Sequence, residues 1–416
     1  MLGILDPHPA DRRRNVKGPM ATAAVLALLT TVACGHRTPA PKSYPDLARW
    51  AATGPDQLLA DHTRLVARSI VATRDGFVVG GFLIDGADEQ RPQTAAILRS
   101  TDGRSWQRVS SPALARTPDT STDISAVVVW RDTLVAVGTE SPVTIQVGES
   151  TGFRRKLAVW TSTDGQDWTR LADLPAVSGW TPVDLTVSAG PRGLFVTEQY
   201  GADSSAPLIH ASSLTDWRVL PGVRVRSRVA DTALGTLLIG TDFEPAQHGV
   251  VEVLRPDGDG TVTDLSAGLT GSLEARGAVT AGPVTVIAGE ALSASNHPYA
   301  ATWSSTDGGA HWQIQKRVPL PADAVEAELG TVTAVGDMFV LFGTAKTSKG
   351  EIGVAWTSLD GAAWTFAARA PKAEFVGLAA GSTTAVVLGA ANGEDGRVPG
   401  TSYGGAAVWN APMVTR

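Results

Sequence analysis

The chain has 416 residues, a formal net charge of -6 and a single cysteine, and 43% of its residues are hydrophobic. That length exceeds what one ordinary hydrophobic core supports, so several domains or a repeat array are expected. One cysteine excludes an intramolecular disulfide framework and any multi-cysteine metal site, and the acidic balance argues against nucleic-acid binding.

The first 33 residues are predicted to form a signal peptide. Residues 12–17 carry four positive charges, and residues 21–33 form an apolar run that is too short to span a bilayer. A twin-arginine signal at residues 13–16 and translation from Met20 remain open as alternatives. No later apolar run approaches the length of a membrane span, so the rest of the chain is expected outside the cytoplasm.

The only cysteine, Cys34, follows the apolar run directly, with Ala33 before it and Gly35 after it. This arrangement resembles the lipobox of bacterial lipoproteins, although Thr31 stands where that family usually has leucine. The resemblance implies that Cys34 is lipidated and anchors the protein to the bacterial cell membrane. The competing interpretation is an ordinary secretory signal in which Cys34 has no special role.

Beyond a polar, proline-rich tether at residues 34–44, the chain repeats a pattern of short β-strands. Seven β-branched apolar runs end on glycine or a polar residue, and each follows a shorter apolar run and a tight turn. Alternating runs bounded by Gly, Pro and Asp indicate strands in hairpins. These runs are 76–81, 133–138, 193–198, 236–240, 284–289, 338–343 and 384–389.

Five of these runs are followed by a third apolar strand, a turn and a tryptophan. The tryptophans after the turn are Trp106, Trp168, Trp217, Trp312 and Trp364. Four antiparallel strands per unit of about fifty residues predict a β-propeller, and seven units predict seven blades across residues 45–416. A β-sandwich array would need larger units of about seven strands.

The last unit lacks an obvious fourth strand, because only residues 413–416 remain after its third strand. Residues 47–50 (LARW) precede the first unit and look like a strand without a partner. We predict that this segment pairs with the last blade and closes the ring, which would protect an exposed sheet edge. Placement of Trp50 against blade one would contradict this prediction.

The pattern S-x-D-x-G-x-x-W at residues 305–312 resembles the Asp-box (BNR) repeat of sialidase-like propellers. Shorter copies contain Asp102, Asp164 and Asp360, whereas the copy before Trp217 has lost its Asp-Gly pair. The resemblance implies a fold more than an activity. The structural Asp-box residues are Asp102, Asp164, Asp307, Asp360, Trp106, Trp168, Trp312 and Trp364.

Elementary chemistry assigns these turn residues a structural role. A buried carboxylate can accept hydrogen bonds from backbone N–H groups of its own turn, while glycine adopts a positive φ. The tryptophan fills space between blades and donates its indole N–H to a carbonyl.

The sequence shows no catalytic constellation. Sialidases need three arginines and a Tyr–Glu pair, and neither their F-R-I-P motif nor an alignable tyrosine is present. The histidines lack metal-ligand spacing, and no nucleophile elbow or P-loop occurs, so no cofactor or metal is assigned. A faint calcium-loop pattern at residues 257–260 is better explained as a hairpin turn of blade four.

Propellers usually bind ligands on the face formed by blade-to-blade connections. Charged residues near the start of each first strand are expected around the channel mouth there, together with one tryptophan that matches no repeat position. This candidate binding face comprises Arg68, Asp123, Asp184, Arg228, Arg276, Glu328, Glu374 and Trp180. The alternative is a solvated rim of paired charges, with Trp180 packed on its neighbouring blade.

The sequence therefore predicts a monomeric, membrane-anchored propeller that binds a protein or a cell-envelope glycan. The alternative is a carbohydrate-active hydrolase or lyase that uses carboxylates such as Asp123 and Asp184, which would require a pair about 5–10 Å apart. A third possibility is a structural lipoprotein that binds no small ligand.

Overall fold

The computed structural model describes 16 stretches of the chain. They are residues 42–53, 64–84, 93–117, 119–142, 156–171, 184–199, 206–225, 228–232, 235–242, 250–257, 259–269, 271–295, 297–315, 318–371, 373–391 and 405–415. No helix in these stretches is long and apolar enough to cross a bilayer.

The described residues form a seven-bladed β-propeller, as the sequence predicts. Six blades are four-stranded antiparallel sheets whose strands pair in chain order. The strands of blades one to three are β3 (Arg64–Thr73), β4 (Gly76–Ile84), β5 (Thr94–Ser100), β6 (Gln107–Arg108), β7 (Thr120–Trp130), β8 (Thr133–Pro142), β9 (Lys156–Ser162), β10 (Thr169–Arg170), β11 (Asp184–Gly190), β12 (Gly193–Gln199), β13 (Ala206–Ser213) and β14 (Asp216–Val225).

Blades four to six have the same organisation. Their strands are β15 (Arg228–Thr232), β16 (Gly235–Asp242), β17 (Val250–Pro256), β18 (Val262–Asp264), β19 (Ser272–Ala281), β20 (Val284–Leu292), β21 (Pro298–Ser305), β22 (Gln313–Gln315), β23 (Ala324–Val335), β24 (Met338–Thr347), β25 (Gly350–Ser358) and β26 (Thr365–Pro371). All seven apolar runs identified in the sequence are second strands of blades.

The first strand of each blade lies against the first strand of the next, and β27 (Ala373–Ala380) of blade seven lies against β3 of blade one. First strands therefore surround the central axis. The hydrophobic core lies between neighbouring blades: one cluster combines Val78 and Ile97 of blade one with Val127 and Trp160 of blade two. Burial of apolar side chains on both faces of each sheet explains the continuous apolar second strands.

Glycines in the second strands have a steric cause. In blades one, two, five and six the first strand contains a β-bulge opposite this glycine. A Cβ atom on the glycine would lie well under 3.0 Å from a first-strand carbonyl oxygen, so only glycine fits. The four glycines are Gly81, Gly138, Gly289 and Gly343.

Blade seven combines both ends of the chain. Its strands β27, β28 (Thr384–Ala391) and β29 (Gly405–Thr415) are joined at the outer edge by β1 (Ser43–Pro45) and β2 (Ala51–Thr53), both of which pair with β29. β29 is one continuous strand, so residues 413–415 belong to it and do not form a separate fourth strand.

The segment between β1 and β2 differs from the predicted strand. Leu47–Arg49 is a 3-10 helix, so the prediction of a strand over residues 47–50 was wrong. The physical reason is Pro412 in β29. Its carbonyl accepts a hydrogen bond from Asp46 N at 2.8 Å, but it has no N–H to donate in return, so the ladder between β29 and the N-terminal segment is interrupted there. Trp50 lies against Phe375 of blade seven. That the pairing locks the ring remains a prediction.

The propeller has two distinct faces. One face holds the turns between first and second strands and between third and fourth strands, and we call it the turn face. We call the connection face the opposite one, where second strands lead to third strands and each blade leads to the next. Antiparallel pairing within every blade places these two sets of turns at opposite ends of the strands.

Candidate functional site

The turns of Asp102, Asp164, Asp307 and Asp360, which resemble an Asp-box in sequence, lie on the turn face, and their carboxylates accept hydrogen bonds from the same turns. Asp102 Oδ1 accepts hydrogen bonds from the backbone N–H groups of Ser105 (2.8 Å) and Arg104 (2.8 Å), and from Ser100 Oγ (3.0 Å). The backbone donors of Ser105 and Arg104 are the main cause of a lowered pKa at Asp102. Gly103 adopts φ +73° in the same turn.

The turns of Asp164 and Asp360 repeat this geometry, with two backbone donors and one serine hydroxyl on each carboxylate. The sequence-based expectation of buried carboxylates was wrong, because these aspartates are exposed. The backbone donors of the turn bond to Oδ1 of each aspartate, while the side chain stays exposed to solvent. This arrangement avoids the cost of burying a charge.

The turn of blade five contains an additional histidine. His311 Nδ1 lies 2.6 Å from Asp307 Oδ2, and the His311 backbone N–H donates to Asp307 Oδ1 at 3.0 Å. The His311 contacts and Ser305 Oγ lower the pKa of Asp307 to about 2. This pair is exposed and lies on the face opposite the channel-mouth residues.

The tryptophans after these turns pack between blades and bond to several kinds of acceptor. The Nε1 atoms of Trp106 and Trp168 donate to carbonyl oxygens of their own turns, at 3.2 and 3.1 Å. Trp312 Nε1 donates to the carbonyl of Leu265 at 2.7 Å, whereas Trp364 Nε1 donates to the hydroxyl of Thr302 at 3.0 Å. The first two hydrogen bonds stay within one turn, whereas the last two join a turn to the preceding blade.

The turn at residues 257–261 is a hairpin between β17 and β18. Asp259 Oδ1 accepts from the N–H (2.9 Å) and Oγ1 (2.7 Å) of Thr261, and Asp257 forms an ion pair with Arg192. Both carboxylates therefore have protein partners. No group of three or more His, Cys, Asp or Glu side chains within the described stretches could hold a metal ion.

The candidate binding residues are described to different extents. Side chains are described for Arg68, Asp123, Arg276 and Glu328, which lie in the first strands of blades one, two, five and six. Only the backbone positions are described for Asp184, Arg228 and Glu374, which also lie in first strands. Trp180 lies outside the described residues.

Asp123 is held inside blade two. Its Oδ2 accepts a hydrogen bond from Thr139 Oγ1 at 2.6 Å, and its Oδ1 accepts from Ser125 Oγ at 3.2 Å and Thr139 N at 3.3 Å. The residue is 8% exposed. This carboxylate therefore positions strands β7 and β8 against each other, and its hydrogen-bonding capacity is largely used within the blade.

Arg276 and Glu328, both predicted from the sequence, meet between blades five and six. Arg276 Nη2 lies 2.8 Å from Glu328 Oε1, 3.0 Å from Glu274 Oε2 and 3.6 Å from Glu290 Oε1. Burial raises the pKa of Glu290, the charge of Arg276 opposes this rise, and Glu274 and Glu328 add to it. One guanidinium thus bridges three carboxylates in an arrangement that we call the Arg276 cluster.

Glu274 and Glu290 were missed by the sequence analysis. They are paired across strands β19 and β20, and the bulge at Arg276 comes two residues after Glu274 in β19. Glu274 stands two residues before Arg276, so a search on both sides of each predicted first-strand charge would have found it.

Two further side chains shape this face. The guanidinium of Arg68 lies 5.6 Å from the ring centroid of buried Phe82, a cation–π contact within blade one. Val325, at the start of β23, is 76% exposed, which is unusual for an aliphatic side chain on a strand.

Comparisons with known proteins identify no family. No family model and no curated relative matches the sequence. Similar solved structures include a phage phi92 endosialidase (10% identity, covering 85% of this chain and 67% of that chain, TM-score 0.43). A Dyadobacter fermentans protein of unknown function shares 13% identity (90% of this chain, 100% of that chain, TM-score 0.48). An ulvan lyase shares 10% identity (90% of this chain, 98% of that chain, TM-score 0.45).

Proposed function

We propose that this chain is a lipid-anchored, extracytoplasmic propeller that binds a protein or a cell-envelope glycan through its connection face and catalyses no reaction. The anchor would be Cys34, at the end of the predicted signal peptide. No cofactor is part of the proposal. The propeller fold is compatible with binding and with catalysis, and the side chains of the connection face decide between them.

The observation that carries the proposal is the state of the carboxylates. Retaining and inverting glycosidases need two carboxyl groups about 5–10 Å apart, one positioned to donate a proton and the other to attack or to activate water. Asp123 is occupied by Thr139 and Ser125, and Glu328 is bridged to Arg276. Side chains committed to partners of this kind support recognition more than acid–base chemistry.

The Arg276 cluster also offers a means of recognition. Glu328 has 54% of its side chain exposed and Glu274 has 43%, so both present carboxylate oxygens to solvent while the guanidinium holds them in place. Pre-positioned acceptors of this kind bind sugar hydroxyls or protein N–H groups at a low entropic cost. Val325 provides apolar contact area in β23 of blade six, the strand that contributes Glu328 to the cluster.

The anchor is tested by a Cys34→Ala variant of the full chain. We expect the variant in the medium or the soluble extracytoplasmic fraction, whereas the wild type fractionates with membranes. Metabolic labelling with a fatty acid should mark the wild type and leave the variant unlabelled. Membrane retention of the variant, without labelling of the wild type, would contradict the proposed anchor.

Binding is tested by cross-linking in membranes, followed by purification of the captured protein or glycan. Glu328→Gln removes one exposed charge from the cluster and should reduce capture several-fold. The matched control is Asp75→Asn, an exposed carboxylate on the turn face, which should leave capture unchanged. Equal losses for both variants would contradict binding through the connection face.

The enzymatic alternative predicts that the purified protein forms product from cell-envelope polysaccharides. Purified protein would be incubated with cell-envelope polysaccharides, and new reducing ends or unsaturated sugar products would be measured over time. We expect none above a sample without protein. Turnover that disappears in an Asp123→Asn variant of unchanged thermal stability would establish the hydrolase or lyase and overturn the proposed role.

A further inference from the structure

The N-terminal segment enters the propeller at one particular face. In β1, Ser43 pairs with Thr415 at the end of β29, and β2 then pairs with residues 408–410, nearer the start of that strand. Because β29 runs from the connection face to the turn face, the chain enters at the turn face and proceeds toward the connection face. The register alone therefore places Lys42 at the turn face.

Two side-chain contacts show the same placement independently of the register. Lys42 Nζ forms an ion pair with Asp337, and the hydroxyl of Tyr44 donates a hydrogen bond to the other carboxylate oxygen of Asp337. Asp337 lies in the turn between β23 and β24, which belongs to the turn face of blade six. The contacts lower the pKa of Asp337, so its carboxylate stays ionised across the physiological range.

Chain length limits how far the anchor can reach from this point. Lys42 lies eight positions after Cys34, and an extended chain spans at most about 3.3–3.6 Å per residue, or roughly 29 Å in total. The nine Cα-to-Cα steps of β24, which runs from the turn face to the connection face, span about 30 Å at the usual rise of a strand. A fully extended tether would therefore end no further than the connection face, with no length left to hold that face at a bilayer.

We propose that the turn face of the propeller is directed toward the membrane and that the connection face is directed away from it. This inference rests on the proposed lipidation of Cys34. The partner of the turn face is the headgroup layer of the bilayer that holds the acyl chains. The Arg276 cluster would consequently be accessible to partners in the surrounding space and not to lipids.

The single native cysteine makes a direct experiment possible. In the lipidated protein the Cys34 thiol is consumed, so one introduced cysteine is the only free thiol. Ser382→Cys places it in an exposed turn of blade seven on the turn face, and Val325→Cys places it on the connection face. Each variant would be bound to phosphatidylethanolamine–phosphatidylglycerol vesicles and treated with a bulky polyethylene-glycol maleimide.

We expect Ser382→Cys to react several-fold more slowly on vesicles than in detergent, and Val325→Cys to react at the same rate in both. Equal slowing, no slowing at either site, or slowing at Val325→Cys alone would overturn the orientation. Flotation of the same samples on a density gradient separates the two proposals. Protein that does not float refutes the anchor, whereas protein that floats without the expected labelling difference refutes only the orientation.

Discussion

Trp50 is predicted to be the principal side chain that holds the N-terminal segment in blade seven. Its ring stacks on Phe375 and Trp409, with centroids 5.9 Å away in each case, and its Nε1 donates to the carbonyl of Arg369 in blade six at 2.9 Å. It therefore contacts the sheet it belongs to and the neighbouring blade. Trp50→Ala removes all of these contacts from one position.

The expected loss can be summed from these contacts. Two aromatic pairs contribute about 0.5–1.5 kcal/mol each, and one hydrogen bond contributes a similar amount. Because Trp50 is half-buried, the middle of each range applies, and the total is about 3 kcal/mol. A change of this size in the free energy of local opening increases the open population roughly 100-fold.

Amide hydrogen exchange of the full chain, read by mass spectrometry on peptides that cover residues 43–53, measures this opening. We expect exchange in β1 and β2 to accelerate by about two orders of magnitude in Trp50→Ala. Trp217→Ala is the matched control, because that half-buried tryptophan donates to Leu214 within its own turn in blade three. Unchanged exchange in Trp50→Ala, or equal acceleration in the control, would refute the closure of the ring by this segment.

Two other predictions concern the blades and the turns. Gly138→Ala should lower the thermal midpoint of unfolding by several degrees, because the added Cβ would overlap the carbonyl oxygen of Asp123. Gly277→Ala should leave the midpoint nearly unchanged, because the atom nearest to its added Cβ lies 3.6 Å away, and calorimetry of both variants checks this. His311→Ala should raise the pKa of Asp307 from about 2 toward 3.8, and a carbon NMR titration would detect this shift. In the wild type, the stabilisation from ionised Asp307 is present above pH 3.8 and is lost as pH falls toward 2. An unshifted titration midpoint in His311→Ala would contradict the assigned contact.

The sequence predicted the fold well because its signals are local and repeated. Each second strand is an apolar run between turns, and the aspartate of each Asp-box-like turn accepts hydrogen bonds from donors within a few residues. Seven copies of such a unit specify the blade count without knowledge of long-range contacts. The repeat also explained why Trp106 and Trp168 follow their turns.

The details that sequence reasoning missed depend on contacts between distant segments. The 3-10 helix at residues 47–49 follows from Pro412, at the other end of the chain, and no local pattern indicates it. Likewise, Arg276 and Glu328 were identified as charges near the channel, but Glu290 comes from the next strand, and the register that pairs it with Glu274 could not be derived from spacing. The exposure of the Asp-box carboxylates depends on the depth of each turn, which composition does not encode.

Pairing of the two chain ends in blade seven affects the order in which the protein can be assembled. Ser43 and Thr415 are 372 positions apart, so β1, which is synthesised before the blades, has no partner until β29 follows. Six blades can form as successive hairpins, but the seventh must wait for β29. During this interval an unpaired sheet edge is open to other chains, and a product truncated before β29 would keep that edge permanently.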